Sequence, residues 1–269
     1  MSDSRVVTFT TDFGLSDPFV GIMHGVVLNI RPDTPIVDIC HSVASYDVFD
    51  GAWTICQAYR FFPPRTVHVV VVDPGVGSER RPIVVETENH IFVAPDNGVL
   101  SLVEARESKF VVRHVIAERY FLQPVSLTFH GRDIFAPVAG WLSKGVAPSE
   151  FGPEISDYVR VPVPRVERIG KDSLRGVVIK VDKFGNLITN IAGEDVPELF
   201  AGPATAFNIL IGGQTITHLC RSYAEGIGDE VFGIVGSSGY LEIAAKQASA
   251  AEKLAAGAGS PVGIVFGQE

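Results

Sequence analysis

Four polar segments follow apolar, strand-like runs of this 269-residue chain, and each carries side chains that can do chemistry. Carboxylates, a guanidinium and an imidazole are the groups that orient or deprotonate small polar substrates. Turns beyond the carboxyl ends of the strands line one crevice in an open α/β sheet. We therefore expect these residues to face a common site. The segments are Thr10–Gly14 with Asp12, Asp73–Arg80, Ala94–Gly98, and Phe129–Asp133 with His130.

Each segment also has a simpler structural interpretation. Asp-Pro-Gly at 73–75 and Asp-Asn-Gly at 96–98 are ordinary turn sequences, and Asp12 can cap the helix that follows it. A lone histidine is usually structural or exposed. The coincidence of ionisable residues after several strands is what favours a site. The other histidines, for which we expect structural or exposed positions, are His24, His41, His68, His90, His114 and His218.

A metal-dependent phosphoesterase is a competing interpretation, because Asp12, Asp17, Asp73 and His130 are of the types that bind two metal ions. Against it, the chain lacks clustered spacings such as DxH or HxxE in these segments. Arg80 follows Asp73 by only seven residues, and its charge opposes a cation there. The glycine-rich run at 75–80 also lacks the Lys-Ser/Thr of a phosphate-binding loop. We predict no metal ligands and no cofactor.

A second group of candidate residues lies near the end of the chain. In the run 181–190, Phe184 offers an aromatic face, Asn186 an amide that can pair with a base edge, and Asp182 a carboxylate for a cation. The alternative is a plain hairpin turn at Phe-Gly-Asn. The Gly-Ser-Ser-Gly loop at 236–239 adds the hydroxyl of Ser237.

The elements that must position these residues change character along the chain. Strands and helices alternate in the first part, which predicts a largely parallel sheet with helices on both sides. Short glycine-broken strands then predict a smaller β sandwich or barrel. We expect an α/β domain at 1–162, a linker at 163–172 and a β domain at 173–269. Predicted strands are 5–10, 36–39, 66–72, 83–86, 91–94, 110–116, 176–181, 206–211, 230–235, 240–243 and 261–266; predicted helices are 19–30, 47–62, one beginning near 133, and 244–256.

Composition limits the partners. The net charge of −9 argues against nucleic acid or an anionic membrane as the main partner, since both require a basic surface. Three widely spaced cysteines form no pairing pattern, and the first residues lack the basic and apolar regions of a secretory signal. We expect a cytoplasmic protein that binds a small molecule.

Seven segments together resemble one family, the adenosine-forming S-adenosyl-L-methionine (SAM) hydrolases, or SAM hydroxide adenosyltransferases, which are related to the fluorinase and chlorinase. The resemblance covers nearly the whole chain. Its segments are TDFG at 11–14, DICH at 38–41, FFPPRTVHVVVVDPGVGSERR at 61–81, APDNG at 94–98, FHGRDIFAPVA at 129–139, VDKFGNLITNI at 181–191 and SSGYLEIA at 237–244.

The resemblance implies hydrolysis of SAM to adenosine and methionine without a metal. Its Asp-Arg-His triad corresponds to Asp73, Arg80 and His130. The family is trimeric, and its site lies between the α/β domain of one subunit and the β domain of the next. The resemblance assigns the ribose hydroxyls to Asp12, a contact with the sugar to Tyr46, adenine to Phe184 and Asn186, and the methionine ammonium and carboxylate to Asp182 and Ser237.

Two features distinguish this chain from the halogenases within the resemblance. Residue 73 is Asp where the halogenases carry Tyr, and His130-Gly131 replaces their Tyr-Ser pair. Gly236 stands where the family commonly has Asn, which affects the expected binding of the methionine tail. A non-catalytic module that binds SAM or a nucleoside remains an alternative, as does the phosphoesterase.

Overall fold

The chain divides into two units between Val163 and Pro164 in the computed structural model. The structure describes residues 5–200 and 206–267, except for the side chains of residues 198 and 200. The first four residues, part of the segment expected to lack a secretory signal, lie outside the described residues. Among the described helices, none has both the length and the apolar character that crossing a membrane requires.

The first unit alternates strands and helices as the sequence predicts. Its strands are β1 (Val7–Thr11), β2 (Ile36–Cys40), β3 (Val67–Val71), β4 (Pro82–Glu86), β5 (Ile91–Pro95) and β6 (Val111–His114). Its α-helices are α1 (Phe19–Ile30), α2 (Val48–Ala58), α3 (Ser101–Glu104) and α4 (Ala136–Ser143), the last preceded by a π-helical turn at Gly131–Phe135. The short α3 is an element that the sequence analysis missed.

These six strands form one sheet in the order β2-β1-β3-β5-β4-β6. The first four in that order run parallel, with Val7 of β1 opposite Val67 of β3. The strand β4 is antiparallel to both of its neighbours. Because β2 and β3 lie on opposite sides of β1, the chain reverses its winding direction at β1.

Apolar residues cover both faces of this sheet, as continuous strands such as β3 require. On one face Val69 and Val71 pack with Met23 of α1 and Leu142 of α4. On the other face Val70 packs with residues of α2 and α3. The predicted α/β class, with helices on both sides of a largely parallel sheet, is confirmed.

The second unit is a mostly antiparallel, curled sheet around a separate core. Its strand order is β11-β10-β15-β8-β9-β14-β13-β12, and β7 pairs with β8. One short helix, α5 (Ala250–Leu254), packs beside the sheet. The strands are β7 (Glu167–Ile169), β8 (Ser173–Val181), β9 (Leu187–Ala192), β10 (Phe207–Ile211), β11 (Gln214–Ile216), β12 (Leu219–Cys220), β13 (Val231–Val235), β14 (Tyr240–Ala245) and β15 (Pro261–Phe266).

The predicted helix at 244–256 is wrong at its beginning. The strand β14 continues through Ala245, because Ala244 and Ala245 pair with β13 and are buried in the sheet. The helix begins only after Ser249, whose side chain accepts a hydrogen bond from the Glu252 N–H. Tertiary pairing therefore overrides the helical propensity of these alanines.

Candidate active site

The first candidate site lies where the winding of the parallel sheet reverses. Asp12 directly follows β1, and Asp73 comes two residues after the end of its parallel neighbour β3. A crevice opens outside the carboxyl ends of two such strands, which is where open α/β sheets bind ligands. The topology alone thus brings two of the predicted residues to one edge.

The predicted triad is assembled in one hydrogen-bonded group. Arg80 Nε donates to Asp73 Oδ1 at 2.9 Å, and Arg80 Nη2 donates to Asp73 Oδ2. The same Nη2 lies 2.8 Å from His130 Nδ1. The Arg80 guanidinium also lies over the ring of Phe135, with its carbon 5.1 Å from the ring centroid. This bidentate pairing fixes the orientation of all three side chains.

The position of Arg80 determines the tautomer of His130 and helps to lower its pKa. Guanidinium nitrogens only donate hydrogen bonds, so Nδ1 of a neutral His130 accepts and its proton is on Nε2. Burial and then the charge of Arg80 lower the pKa of His130, while Asp73 and Asp133 act in the opposite direction. The imidazole is therefore neutral at ordinary pH and presents an N–H donor on its Nε2 side.

Asp12 and Tyr46 are also brought together. Asp12 Oδ2 accepts a hydrogen bond of 2.9 Å from the backbone N–H of Tyr46. Tyr46 has a φ of 67° and a largely exposed side chain. A left-handed backbone costs a tyrosine about 1–3 kcal/mol, and such costs concentrate at functional sites.

Two of the polar segments contain residues that hold the fold together. In the segment 94–98, Asp96 pairs with Arg81 at 2.7 Å and accepts from the Val159 N–H. In the segment 129–133, Asp133 is fully buried and pairs with Arg132 at 2.6 Å. Asp17 is exposed and accepts a hydrogen bond of 3.5 Å from the hydroxyl of its neighbour Ser16.

The second candidate site is the hairpin between β8 and β9. Asp182 Oδ1 accepts hydrogen bonds of 2.8 Å from the backbone N–H groups of Phe184 and Asn186. Asp182 Oδ2 accepts from Asn186 Nδ2 at 2.8 Å. Because a carboxylate only accepts, the amide of Asn186 must turn its NH₂ toward Asp182 and its oxygen away. Gly185, at φ 82°, allows the tight turn.

A cavity of about 660 Å³ opens beside this hairpin. Asp182, Phe184 and Asn186 line it together with Tyr223, Ala245 and residues 247–249. Asn186 is buried, whereas Phe184 is 76% exposed. A wall that joins an aromatic face, an amide oxygen and a carboxylate suits a purine with a charged tail.

Ser237 does not line this cavity, and a buried carboxylate nearby was missed from the sequence. Ser237 is exposed on the loop before β14. Glu242 of β14 is 5% exposed and accepts a hydrogen bond of 2.8 Å from Tyr223 Oη. Burial raises the pKa of Glu242, and it raises the pKa of Tyr223 to about 12 with help from that hydrogen bond. A charged residue between Leu241 and Ile243 in an apolar strand was the available signal.

The chain combines an α/β unit with a unit built on a curled, mostly antiparallel sheet, and comparison with known proteins identifies its family. The SAM hydroxide adenosyltransferase N-terminal domain matches residues 7–152, and the C-terminal domain of the same name matches residues 176–263. The chain belongs to the SAM hydroxide adenosyltransferase family.

Individual relatives agree with this assignment. The chain is 42% identical over 190 residues to an (R)-S-adenosyl-L-methionine hydrolase of Salinispora tropica, covering 70% of this chain and 72% of that protein. It is 32% identical to a hydrolase of the same name from Thermus thermophilus, covering 97% and 100%. A crystal structure of an uncharacterized conserved protein from Thermotoga maritima superposes with a TM-score of 0.91 at 32% identity, covering 97% and 100%.

Proposed function

We propose that this chain hydrolyses SAM to adenosine and L-methionine. The observation that carries the proposal is the group Asp73–Arg80–His130 at the sheet edge, in a member of a family whose relatives are named for this reaction. The chemistry is a displacement at the 5′ carbon of the ribose. Water forms the new C–O bond, and the C–S bond breaks as methionine leaves with a neutral sulfur.

The demanding part of this reaction is the nucleophile. A sulfonium leaves without taking a proton, so no general acid is needed, but free water has a pKa of about 15.7. In our proposal His130 Nε2–H donates to the water oxygen, and Asp73 accepts a proton of the water. A carboxylate offers about four acceptor sites, and Arg80 uses one on each oxygen of Asp73. Two sites remain for the water.

We infer that Arg80 positions these groups and needs no metal ion beside it. Its guanidinium already supplies the positive charge between Asp73 and His130. Orientation of the water close to the 5′ carbon supplies several kcal/mol, and a well-placed base contributes about 10²–10⁴-fold. In this proposal Asp12 binds the ribose hydroxyls, and Tyr46 packs against the sugar.

The second unit holds the rest of the substrate in this proposal. Phe184 stacks on adenine, and the oxygen of Asn186 accepts from the adenine amino group. One acceptor site of Asp182 Oδ2 remains beyond its bond to Asn186, and it takes the methionine ammonium. The family pattern assigns the methionine carboxylate to Ser237.

A direct assay tests the reaction. Purified protein is incubated with SAM and excess chelator, and adenosine and methionine are quantified by chromatography. The proposal predicts both products in equal amounts. Binding of SAM without turnover would instead identify a binding module, and release of phosphate from phosphoesters only with added metal would identify the phosphoesterase.

We further propose that the enzyme is a cytoplasmic homotrimer whose site combines the first unit of one subunit with the second unit of the next. The support is the family pattern and the stiff Val-Pro-Val-Pro segment at 161–164. The variants Asp73→Asn, with a lowered kcat, and Asn186→Ala, with weakened SAM binding, are each expected to turn over little SAM at low SAM concentration; they are unfolded together, refolded as a mixture and assayed under that condition. We expect activity to return to a sizeable fraction of wild type, because some hybrid sites contain both wild-type residues. Hybrids that form but stay inactive would place the site within one chain.

A further inference from the structure

Two histidines and an aspartate converge at the edge of the first unit, apart from the triad. His24 lies on α1, Asp38 on β2, and His41 just beyond the end of β2. Asp38 Oδ1 is 2.9 Å from His24 Nε2 and 3.0 Å from His41 Nε2. One ligand atom from each of the three residues lies within 4.8 Å of the others. The fold thus gathers three metal-binding side chains that the sequence spreads over eighteen positions.

His41 provides an independent observation. Its side chain is 4% exposed, and its Nδ1 is held by Thr11 Oγ1 at 2.8 Å. Its buried Nε2 has no hydrogen-bond partner among the described residues, although Asp38 Oδ1 lies 3.0 Å away. The two atoms are close, but they are not aligned for a hydrogen bond. A polar atom that is both buried and unpaired costs about 1–3 kcal/mol, so this nitrogen requires a partner.

Shared coordination accounts for this geometry. Two ligand atoms at about 2.1 Å from one ion, at right angles to each other, are separated by about 3.0 Å without being hydrogen-bonded. Both distances from Asp38 Oδ1 match that separation. With Nε2 as the metal ligand, the proton of His41 is on Nδ1, which donates to Thr11 Oγ1 and fixes the ring as the second contact of a metal-bound histidine usually does.

We propose that His24 Nε2, Asp38 Oδ1 and His41 Nε2 bind one divalent transition-metal ion. Two imidazoles select zinc, cobalt, nickel or iron over magnesium and calcium, which prefer oxygen ligands. The side chains of His24 and Asp38 are 24% and 40% exposed, which gives the ion access from solvent. The ion ties α1 to the end of β2. Through Thr11 it also supports the turn that carries Asp12.

The simpler alternative is an ion pair in which Asp38 binds a protonated His24 and no metal is involved. That pair leaves the buried His41 Nε2 without a partner, whereas a shared ion satisfies all three groups. The proposed ion is separate from Asp73, Arg80 and His130 and takes no part in their chemistry. The proposal does not rest on the hydrolase function, and a negative result here leaves that function standing.

Cobalt(II) provides the test because its visible absorption reports imidazole coordination directly. Metal-free protein without an affinity tag is titrated with Co²⁺, and its visible absorbance is followed. We expect saturation at one ion per chain and competition by Zn²⁺. His24→Ala should weaken binding about 10²-fold or more, since a ligand is lost. The matched control His218→Ala, at an exposed histidine of the second unit, should bind as wild type does.

Asp38→Asn provides a second ligand variant if His24→Ala fails to fold, which circular dichroism detects. Loss of the cobalt spectrum in either folded variant, with retention in His218→Ala, supports the site. Equal binding by wild type, the ligand variants and the control would overturn the proposal. So would the absence of a cobalt spectrum in wild-type protein at millimolar Co²⁺.

Discussion

The two candidate sites differ in how many of their side chains already have partners within the protein. In the first unit, the side chains of Asp73 and Arg80 are 4% and 8% exposed and bonded to each other. In the second unit, the hairpin fixes Asp182 and Asn186, but Phe184 is left 76% exposed. Asp73 and Arg80 are therefore held in place by each other in the free protein. The exposed ring of Phe184 is free to stack on the ring of a ligand.

Under the proposed function, the two units have separate tasks. Chemistry depends on orientation within fractions of an ångström, so its groups belong on rigid strand ends. Binding depends on apolar area removed from water, and an exposed phenyl ring keeps that area available. Substitutions in the first unit should thus lower the turnover number, and substitutions in the second should weaken substrate binding.

The largest effect is expected at the triad. Asp73→Asn keeps the size of the side chain but removes the carboxylate that accepts the water proton, and His130→Ala removes the imidazole donor. Each should lower kcat about 10²-fold or more with little change in KM. Steady-state kinetics with SAM measure both constants. A His130→Ala variant with nearly full kcat would give this histidine a structural role only.

Removal of the exposed ring should produce the opposite pattern. Phe184→Ala loses a stacking contact with adenine worth about 1–3 kcal/mol, so KM should rise roughly 10- to 100-fold while kcat changes little. The matched control is Phe61→Ala, another exposed phenylalanine (87%) but in the first unit. If both variants keep the wild-type KM, Phe184 does not bind the base.

The pH dependence of turnover should report His130. Burial and the charge of Arg80 lower its pKa below the ordinary value of about 6.5. The neutral form that accepts from Arg80 therefore persists as pH falls through 6.5 and is lost only at lower pH. We expect a flat rate from pH 8 to about 6.5, and at lower pH a fall of up to about tenfold per unit. An acid limb centred above 6.5 would contradict this assignment.

A smaller effect is expected at Gly236. A Cβ built there would overlap the carboxylate of the buried Glu242 and disturb its bond to Tyr223. Gly236→Ala should reduce the free energy of unfolding by about 1–3 kcal/mol, the usual cost of overpacking. Gly193→Ala in the same unit is the control, because its nearest neighbour would be at 3.5 Å. Thermal denaturation compares the two, and equal stability would mean that Glu242 moves freely.

The sequence predicted the arrangement of residues in the first candidate site better than in the second. Apolar runs such as Thr66–Val72 predict strands. Because parallel strands place the turns that follow them at one edge of the sheet, topology alone brings Asp12 and Asp73 to the same edge. The bond from Arg80 to His130 spans 50 positions and depends on the π-helical turn after His130, which no local pattern predicts. The helix expected at 244–256 was wrong because strand pairing decided the conformation of its first residues.

Long-range packing also determines roles that the neighbouring sequence alone does not reveal. Glu242 sits within an apolar strand, and its role depends on Tyr223, nineteen positions away. The His24, Asp38 and His41 cluster requires α1 to pack beside β2, a contact without a motif. Gly236, read from the sequence as a departure from the family, is accounted for by the Glu242 carboxylate that occupies the space beside it.

Isotope labelling of the product tests the central claim most directly. Wild-type protein and Asp73→Asn are each incubated with SAM in H₂¹⁸O containing chloride and fluoride, and the nucleoside products are analysed by mass spectrometry. We predict adenosine with one ¹⁸O atom in its 5′ hydroxyl from the wild type, and about 10²-fold slower formation of this product by the variant. Unlabelled adenosine, a 5′-halogenated adenosine, or equal turnover by Asp73→Asn would contradict water attack directed by the first unit.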